Sequence, residues 1–112
     1  GTVSIIDTAT KRITETLTLP WKYGNRLKFT PDGRQVLISS DELLIIDVAA
    51  KAMRSVKVGA QATGVLVAPD GRTAYVAASR DNRVAVVDLA TLTVTGYIAT
   101  GAAPDGMAWL RR

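Results

Sequence analysis

Short apolar runs separated by turn residues recur along the whole chain. The runs are rich in Val, Ile, Leu and Thr and are bounded by Gly, Pro, Asp or Asn. This pattern is typical of β-strands rather than helices. It predicts four strands at 27–30, 35–39, 43–47 and 52–58, followed by four more at 65–68, 74–78, 84–88 and 94–100.

The pattern repeats with a nearly fixed period. An apolar run that ends in aspartate occurs at Asp7, Asp47 and Asp88, in steps of 40 and 41 residues. Pro31-Asp32-Gly33 and Pro69-Asp70-Gly71 predict hairpin turns, because Pro presets φ and Gly accepts a positive φ. Each of the three aspartates precedes a short connection rich in Ala or Thr, so we expect its carboxylate to accept backbone N–H bonds in a turn rather than to act in catalysis.

Four antiparallel strands in about 40 residues are the pattern of a β-propeller blade. The chain is therefore predicted to be all-β, with a half blade at 1–24, complete blades at 25–58 and 59–100, and the first strand of a further blade at 101–112, centred on 107–110. A closed propeller needs about 4 to 8 blades. The predicted ring is incomplete, so the expected partners are the remaining blades of a parent propeller or another chain.

Composition narrows the range of chemistry. The chain has no Cys and no His, which excludes disulfides, cysteine nucleophiles, His-based triads and imidazole-bound metals within it. No phosphate loop, metal motif or catalytic carboxylate pair is recognised, so no catalytic residue, metal ligand or cofactor is predicted. Fourteen Lys and Arg against ten Asp and Glu give a net charge of +4, which favours anionic partners without selecting one.

One loop departs from the repeat. The span from Asp7 to Pro31 is 24 positions, whereas the span from Asp47 to Pro69 is 22. The extra loop carries two aromatic residues and two cations, which make it the first candidate ligand site: Trp21, Lys22, Tyr23 and Arg26. An aromatic ring beside cations can stack a base or sugar and pair with a phosphate or carboxylate. The alternative is that Trp21 packs beneath the loop and the cations are solvated.

A second candidate loop joins two strands of the later blade. It contains Arg80 and Arg83, which can contact a ligand or simply pair with Asp81 and neighbouring carboxylates. Loops on a rigid scaffold are common binding sites, and in a propeller these connections lie on one rim of the ring. Tyr75 and Tyr97 lie on predicted strands, so we expect them to pack between blades.

The Ile-Asp-x-Ala-Thr segments, the Pro-Asp-Gly-Arg turns and Tyr75-Val76-Ala77-Ala78 resemble the YVTN-type propeller repeat, which is related to surface-layer and cytochrome-d1-like propellers. Ala77-Ala78 replaces the Thr-Asn of the namesake motif. The resemblance implies a non-catalytic binding or scaffold propeller, periplasmic or at the cell surface. Two alternatives stay open: the propeller portion of a redox enzyme whose cofactor ligands lie elsewhere, and a binder of single-stranded nucleic acid or another polyanion.

Overall fold

The computed structural model describes residues 1–111. Its described part contains ten β-strands and one 3-10 turn at Ser79–Asp81. The strands are β1 Thr2–Asp7, β2 Arg12–Thr18, β3 Leu27–Phe29, β4 Gln35–Ser39, β5 Leu43–Asp47, β6 Met53–Val56, β7 Ala62–Val67, β8 Thr73–Ala78, β9 Arg83–Asp88 and β10 Thr93–Ala99. No helix in residues 1–111 is long and apolar enough to cross a membrane.

The strands form three antiparallel sheets that follow chain order. β1 and β2 form a two-stranded half blade. Strands β3 to β6 form the first blade and β7 to β10 the second, each a four-stranded meander. The predicted all-β fold of four-stranded propeller blades is confirmed, and residues 1–111 do not close a ring.

The three repeated aspartates close equivalent turns. The Oδ1 atom of Asp7 accepts the N–H groups of Ala9 and Thr10 at 2.9 and 2.8 Å. Asp47 and Asp88 make the same kind of contact with N–H groups two or three residues further on, at 2.7 to 3.0 Å. Backbone N–H donors stabilise the ionised carboxylate, so the bond from Thr10 lowers the pKa of Asp7, and the bonds from Thr91 and Ala90 lower that of Asp88. The predicted turn role of these aspartates is confirmed.

The core lies between the two complete blades. Leu37, Leu43 and Ile45 of the first blade pack against residues of the second blade that include Val76 and Val87. Alternate side chains of the same strands, such as Val36 and Ile46, point to the other side and pack toward the half blade. Because side chains alternate across a strand, each blade is apolar on both faces and needs a neighbour on each.

Two predicted strands of the complete blades differ from the structure by more than one residue at an end, and the other differences are of one residue. Strand β7 begins at Ala62, three residues before the predicted start at 65, and β6 covers only Met53–Val56 of the predicted 52–58. The segment 107–110 is not a strand, because residues 1–111 provide no further strand to pair with it. It lies on the second blade instead, with the Trp109 ring centre 6.3 Å from that of Tyr75.

Apolar surface remains uncovered in two places, between the half blade and the first blade and at the far side of the second blade. Leu27 and Phe29 of β3 are 43% and 58% exposed. They line a cavity of about 330 Å³ between the half blade and the first blade. At the far side of the second blade, Trp109 and Leu110 are also exposed.

Candidate rim site

Five connecting segments meet at one edge of the blades, and we call them together the rim: 19–26, 40–42, 57–61, 79–82 and 101–106. Hydrogen bonds link them. The Asn25 side-chain amide donates to the Ala62 carbonyl at 2.9 Å, and the Thr63 hydroxyl donates to the Pro104 carbonyl at 3.1 Å. Asn25 and Thr63 hold equivalent places, two residues before the paired positions Leu27 and Val65. The first blade therefore bonds to the second, and the second blade to the segment 101–106, through the same position.

Ser39 and Ser79 add two more contacts, the first between the two blades and the second between the second blade and the segment 101–106. The buried Ser39 hydroxyl donates to the Thr63 carbonyl and accepts the Arg26 N–H at 3.1 Å. The Ser79 hydroxyl donates to the Pro104 carbonyl at 2.6 Å. These bonds fix the loop backbones, so the rim side chains project from a rigid base.

Tyr23 is held by the neighbouring segment 40–42. Its hydroxyl donates to Asp41 Oδ1 at 2.7 Å, and its carbonyl accepts the Ser40 hydroxyl at 2.6 Å. The hydrogen bond to the Asp41 carboxylate raises the pKa of the Tyr23 phenol, because it stabilises the neutral form. The positive charge of Arg80 opposes that shift, so Arg80 of the second blade acts on the same spot.

Arg26 and Asp105 connect the two ends of the rim. Arg26 Nη2 lies 3.3 Å from Asp105 Oδ2, and both side chains are about half exposed. The Asp105 backbone also lies tightly against Gly64, where a Cβ atom would overlap the Asp105 carbonyl oxygen. A residue larger than glycine at position 64 would push the segment 101–106 away from the second blade.

Arg83 is engaged within the second blade. Its guanidinium carbon lies 3.7 Å from the centre of the Tyr97 ring, and Nη2 lies 3.5 Å from Asp81 Oδ2. The same Asp81 oxygen accepts the Ala60 N–H at 2.9 Å. The expected pairing of Arg83 with Asp81 is therefore observed, while Tyr97, expected to pack between blades, is 46% exposed and carries the arginine.

Trp21 and Lys22 have different surroundings. Trp21 is partly buried and packs against the cluster that contains Leu19, Val36 and Ile38. Lys22 and Arg80 are exposed, and neither forms an ion pair within residues 1–111. The structure thus brings five of the six predicted residues to the rim itself and places Arg83 beside it. Of the four cations predicted for the ligand site, Lys22 and Arg80 are the two that form no ion pair with a carboxylate in residues 1–111.

Sequence reasoning did not single out the groups that hold these side chains. Ser39 is the last residue of a predicted strand, and Asp41 and Asn25 lie two residues from one, but only the packing of blades makes the three residues partners of the rim. Their signal is the repeat, since a polar residue at the place of Asn25 recurs as Thr63. No group of three or more side chains suited to a metal ion occurs within residues 1–111.

No protein-family model matches the sequence, and the search of curated proteins finds no match. Solved structures do match. Hydrazine synthase of Kuenenia stuttgartiensis is 27% identical with a TM-score of 0.87, over 94% of this chain and 32% of that one. The dihydro-heme d1 dehydrogenase NirN, in complex with DHE, is 22% identical with a TM-score of 0.74, over 87% of this chain and 22% of that one. The chain spans a third or less of either protein, and it shares the fold of a segment of these β-propeller proteins.

Proposed function

We propose that this chain is a non-catalytic segment of a larger, extracytoplasmic propeller of the YVTN-repeat type, and that its rim binds an anionic ligand. The observation that carries the proposal is the pair of exposed cations, Lys22 and Arg80, which have no carboxylate partner in residues 1–111. The other blades of the parent propeller, or another chain, cover the exposed apolar surfaces. The extracytoplasmic location rests on the repeat resemblance.

The chemistry of the rim favours an anion over a cation. Lys22 directly precedes Tyr23, and the charge of Arg80 acts on the Tyr23 phenol. The neighbouring carboxylate of Asp41 already accepts the phenol hydrogen, so one of its oxygens is occupied. A phosphate, sulfate or carboxylate group that approaches the Tyr23 phenol meets the Arg80 charge and an aromatic edge, with the exposed Lys22 at the preceding position of the chain.

The test is a binding comparison with charge-matched variants. Lys22→Ala with Arg80→Ala removes the two unpaired rim cations, while Arg12→Ala with Arg72→Ala removes two exposed cations outside the rim. Oligonucleotides, sulfated glycans and small phosphates serve as probes in fluorescence polarisation and calorimetry. We expect the rim variant to lose affinity about tenfold or more, about 1.4 kcal/mol, and the control to bind as the wild type does. Equal binding by all three proteins would overturn the proposal.

Trp21 is kept intact in that comparison. Because it packs on the first blade, Trp21→Ala changes stability as well as surface, and a loss of binding would have two causes. The salt dependence then separates ligand classes. A polyanion such as single-stranded nucleic acid loses affinity steeply with salt, because each neutralised phosphate releases counterions.

A second candidate function is favoured by the structural neighbours. Hydrazine synthase and the dehydrogenase NirN are enzymes by name, and NirN is in complex with DHE. On this alternative the chain is the propeller portion of a redox enzyme whose cofactor ligands lie outside residues 1–112. The absorption spectrum of the full-length parent protein discriminates, because a haem band would support this candidate and anion binding without any chromophore would support the first.

A further inference from the structure

Three Asp-Gly pairs occur in this chain, at 32–33, 70–71 and 105–106. Asp-Gly is the dipeptide most prone to isomerise, because glycine has no side chain to shield its amide nitrogen. In the reaction the glycine nitrogen attacks the aspartate side-chain carbon, and the Cγ–OH bond breaks with loss of one water. The resulting five-membered succinimide then takes up one water and opens to aspartate or isoaspartate. The overall reaction leaves the mass unchanged and needs no other reactant.

Two of the pairs are locked by their turns. The Gly33 N–H donates to the Thr30 carbonyl at 2.9 Å, and Asp32 Oδ1 accepts the Arg34 N–H at 3.0 Å. The second pair is held in the same way: the Gly71 N–H donates to the Ala68 carbonyl and Asp70 Oδ1 accepts the Arg72 N–H, both at 2.9 Å. Attack would require the glycine nitrogen to turn onto the carboxyl carbon and would break both bonds.

The third pair lacks these restraints. Within residues 1–111 the Gly106 N–H has no hydrogen-bond partner, and both residues are exposed. The Asp105 carboxylate has one contact, the half-exposed pair with Arg26 at 3.3 Å. Exposed pairs of this kind contribute little to holding a side chain in place. We propose that Asp105-Gly106 is a site of spontaneous isoaspartate formation, and that Asp32-Gly33 and Asp70-Gly71 are protected from it.

The location gives the modification a structural effect. The Pro104 carbonyl is held by Thr63 and Ser79, and the Asp105 carbonyl lies against Gly64. Isoaspartate adds one carbon to the backbone directly after the Pro104 contacts. It also turns the Asp105 main-chain carbonyl beside Gly64 into the free carboxylate, which moves the negative charge relative to Arg26. The change lengthens the connection to Trp109, so the segment 107–110 shifts on the second blade.

The test uses the three pairs as controls for one another. The folded chain is incubated at 37 °C and neutral pH, then digested, and isoaspartate is quantified in each peptide by chromatographic separation and isoaspartyl methylation. We expect position 105 to accumulate isoaspartate about tenfold or more faster than positions 32 and 70, because the turn hydrogen bonds at positions 32 and 70 must open before the reaction. In denaturant the three rates should converge.

A variant isolates the chemistry from the fold. Gly106→Ala places its Cβ in open space at a φ outside the left-handed region, so it leaves the structure intact while it hinders the attacking nitrogen. This variant should form far less isoaspartate at position 105, with the other two positions unchanged. Equal accumulation at all three positions of the folded chain, or none at 105 when the denatured chain reacts there, would overturn the proposal.

Discussion

Arg83 stacks on Tyr97 across strands β9 and β10, with the guanidinium carbon 3.7 Å from the ring centre. Its Nε atom is buried without a hydrogen-bond partner in the described chain, so the ring is the main contact of that part of the guanidinium. An arginine stacked in this way stabilises the blade and is not available to a ligand in the same geometry.

The stack predicts a measurable coupling. Arg83→Met and Tyr97→Leu should each lower the free energy of unfolding, and their double-mutant cycle should give a coupling of about 0.5 to 1 kcal/mol. The cycle is needed because Arg83→Met also removes the unpaired Nε donor. Urea unfolding followed by circular dichroism measures it, with Arg12→Met as the charge control. Additive effects would mean that the stack contributes nothing.

We expect removal of the Ser39 hydroxyl to lower the free energy of unfolding substantially. Ser39→Ala removes this partner from both the Thr63 carbonyl and the Arg26 N–H, which face the buried Ser39 side chain in partly buried hydrogen bonds. Leaving buried polar groups unpaired costs about 1 to 3 kcal/mol. Ser55→Ala is the matched control, because Ser55 is exposed and its hydroxyl bonds only to Glu42. If the two variants unfold at the same urea concentration, the contact between blades is not stabilising.

The pKa of the Tyr23 phenol can be measured by spectroscopic titration. Its pKa lies above the ordinary tyrosine value, because its hydroxyl donates to the Asp41 carboxylate. Asp41→Asn should move this pKa down toward about 10. Ultraviolet absorbance of tyrosinate follows the titration, and the difference spectrum against Tyr23→Phe assigns the step among the three tyrosines.

The sign of the linked stability follows from the same contact. A group whose pKa is raised on folding stabilises the fold below its unfolded pKa, and that contribution is lost as the pH rises through its folded pKa. The hydrogen bond from Tyr23 to Asp41 therefore stabilises the rim at neutral pH and is lost above about pH 10. A Tyr23→Phe variant with unchanged alkaline stability would contradict this linkage.

We expect the uncovered apolar surface between the half blade and the first blade to cause association. Leu27 and Phe29 stay largely exposed beside an apolar cavity, and exposed apolar patches attract partners or dyes. The isolated chain should bind ANS and sediment as more than a monomer. Leu27→Thr with Phe29→Thr should reduce both signals, since Thr keeps the strand preference. A cooperative monomer without dye binding would contradict the prediction.

The strands and turns of the blades could be predicted from the sequence, but the contacts of the rim could not. Strands, hairpin turns and the aspartate turns depend on contacts within about 10 residues, which periodicity and turn chemistry report directly. The rim depends on blade packing: Tyr23 and Asp41 are 18 positions apart, and Arg26 and Asp105 are 79 apart. The prediction of a strand at 107–110 fails for the same reason. The segment has the apolar pattern of a strand, but a strand forms only when a neighbouring strand pairs with it.

The aspartate turns have one further consequence. Lys11, Lys51 and Leu92 each stand four residues after the turn aspartate, and all three adopt a left-handed φ of 53° to 58°. The backbone path is thus the same with Lys or Leu at this position, while the aspartate and the left-handed residue mark its two ends. Because Leu92 packs against the core cluster whereas Lys51 pairs with Glu15, we expect only the residues between the aspartate and the left-handed position to be exchangeable among the three hairpins.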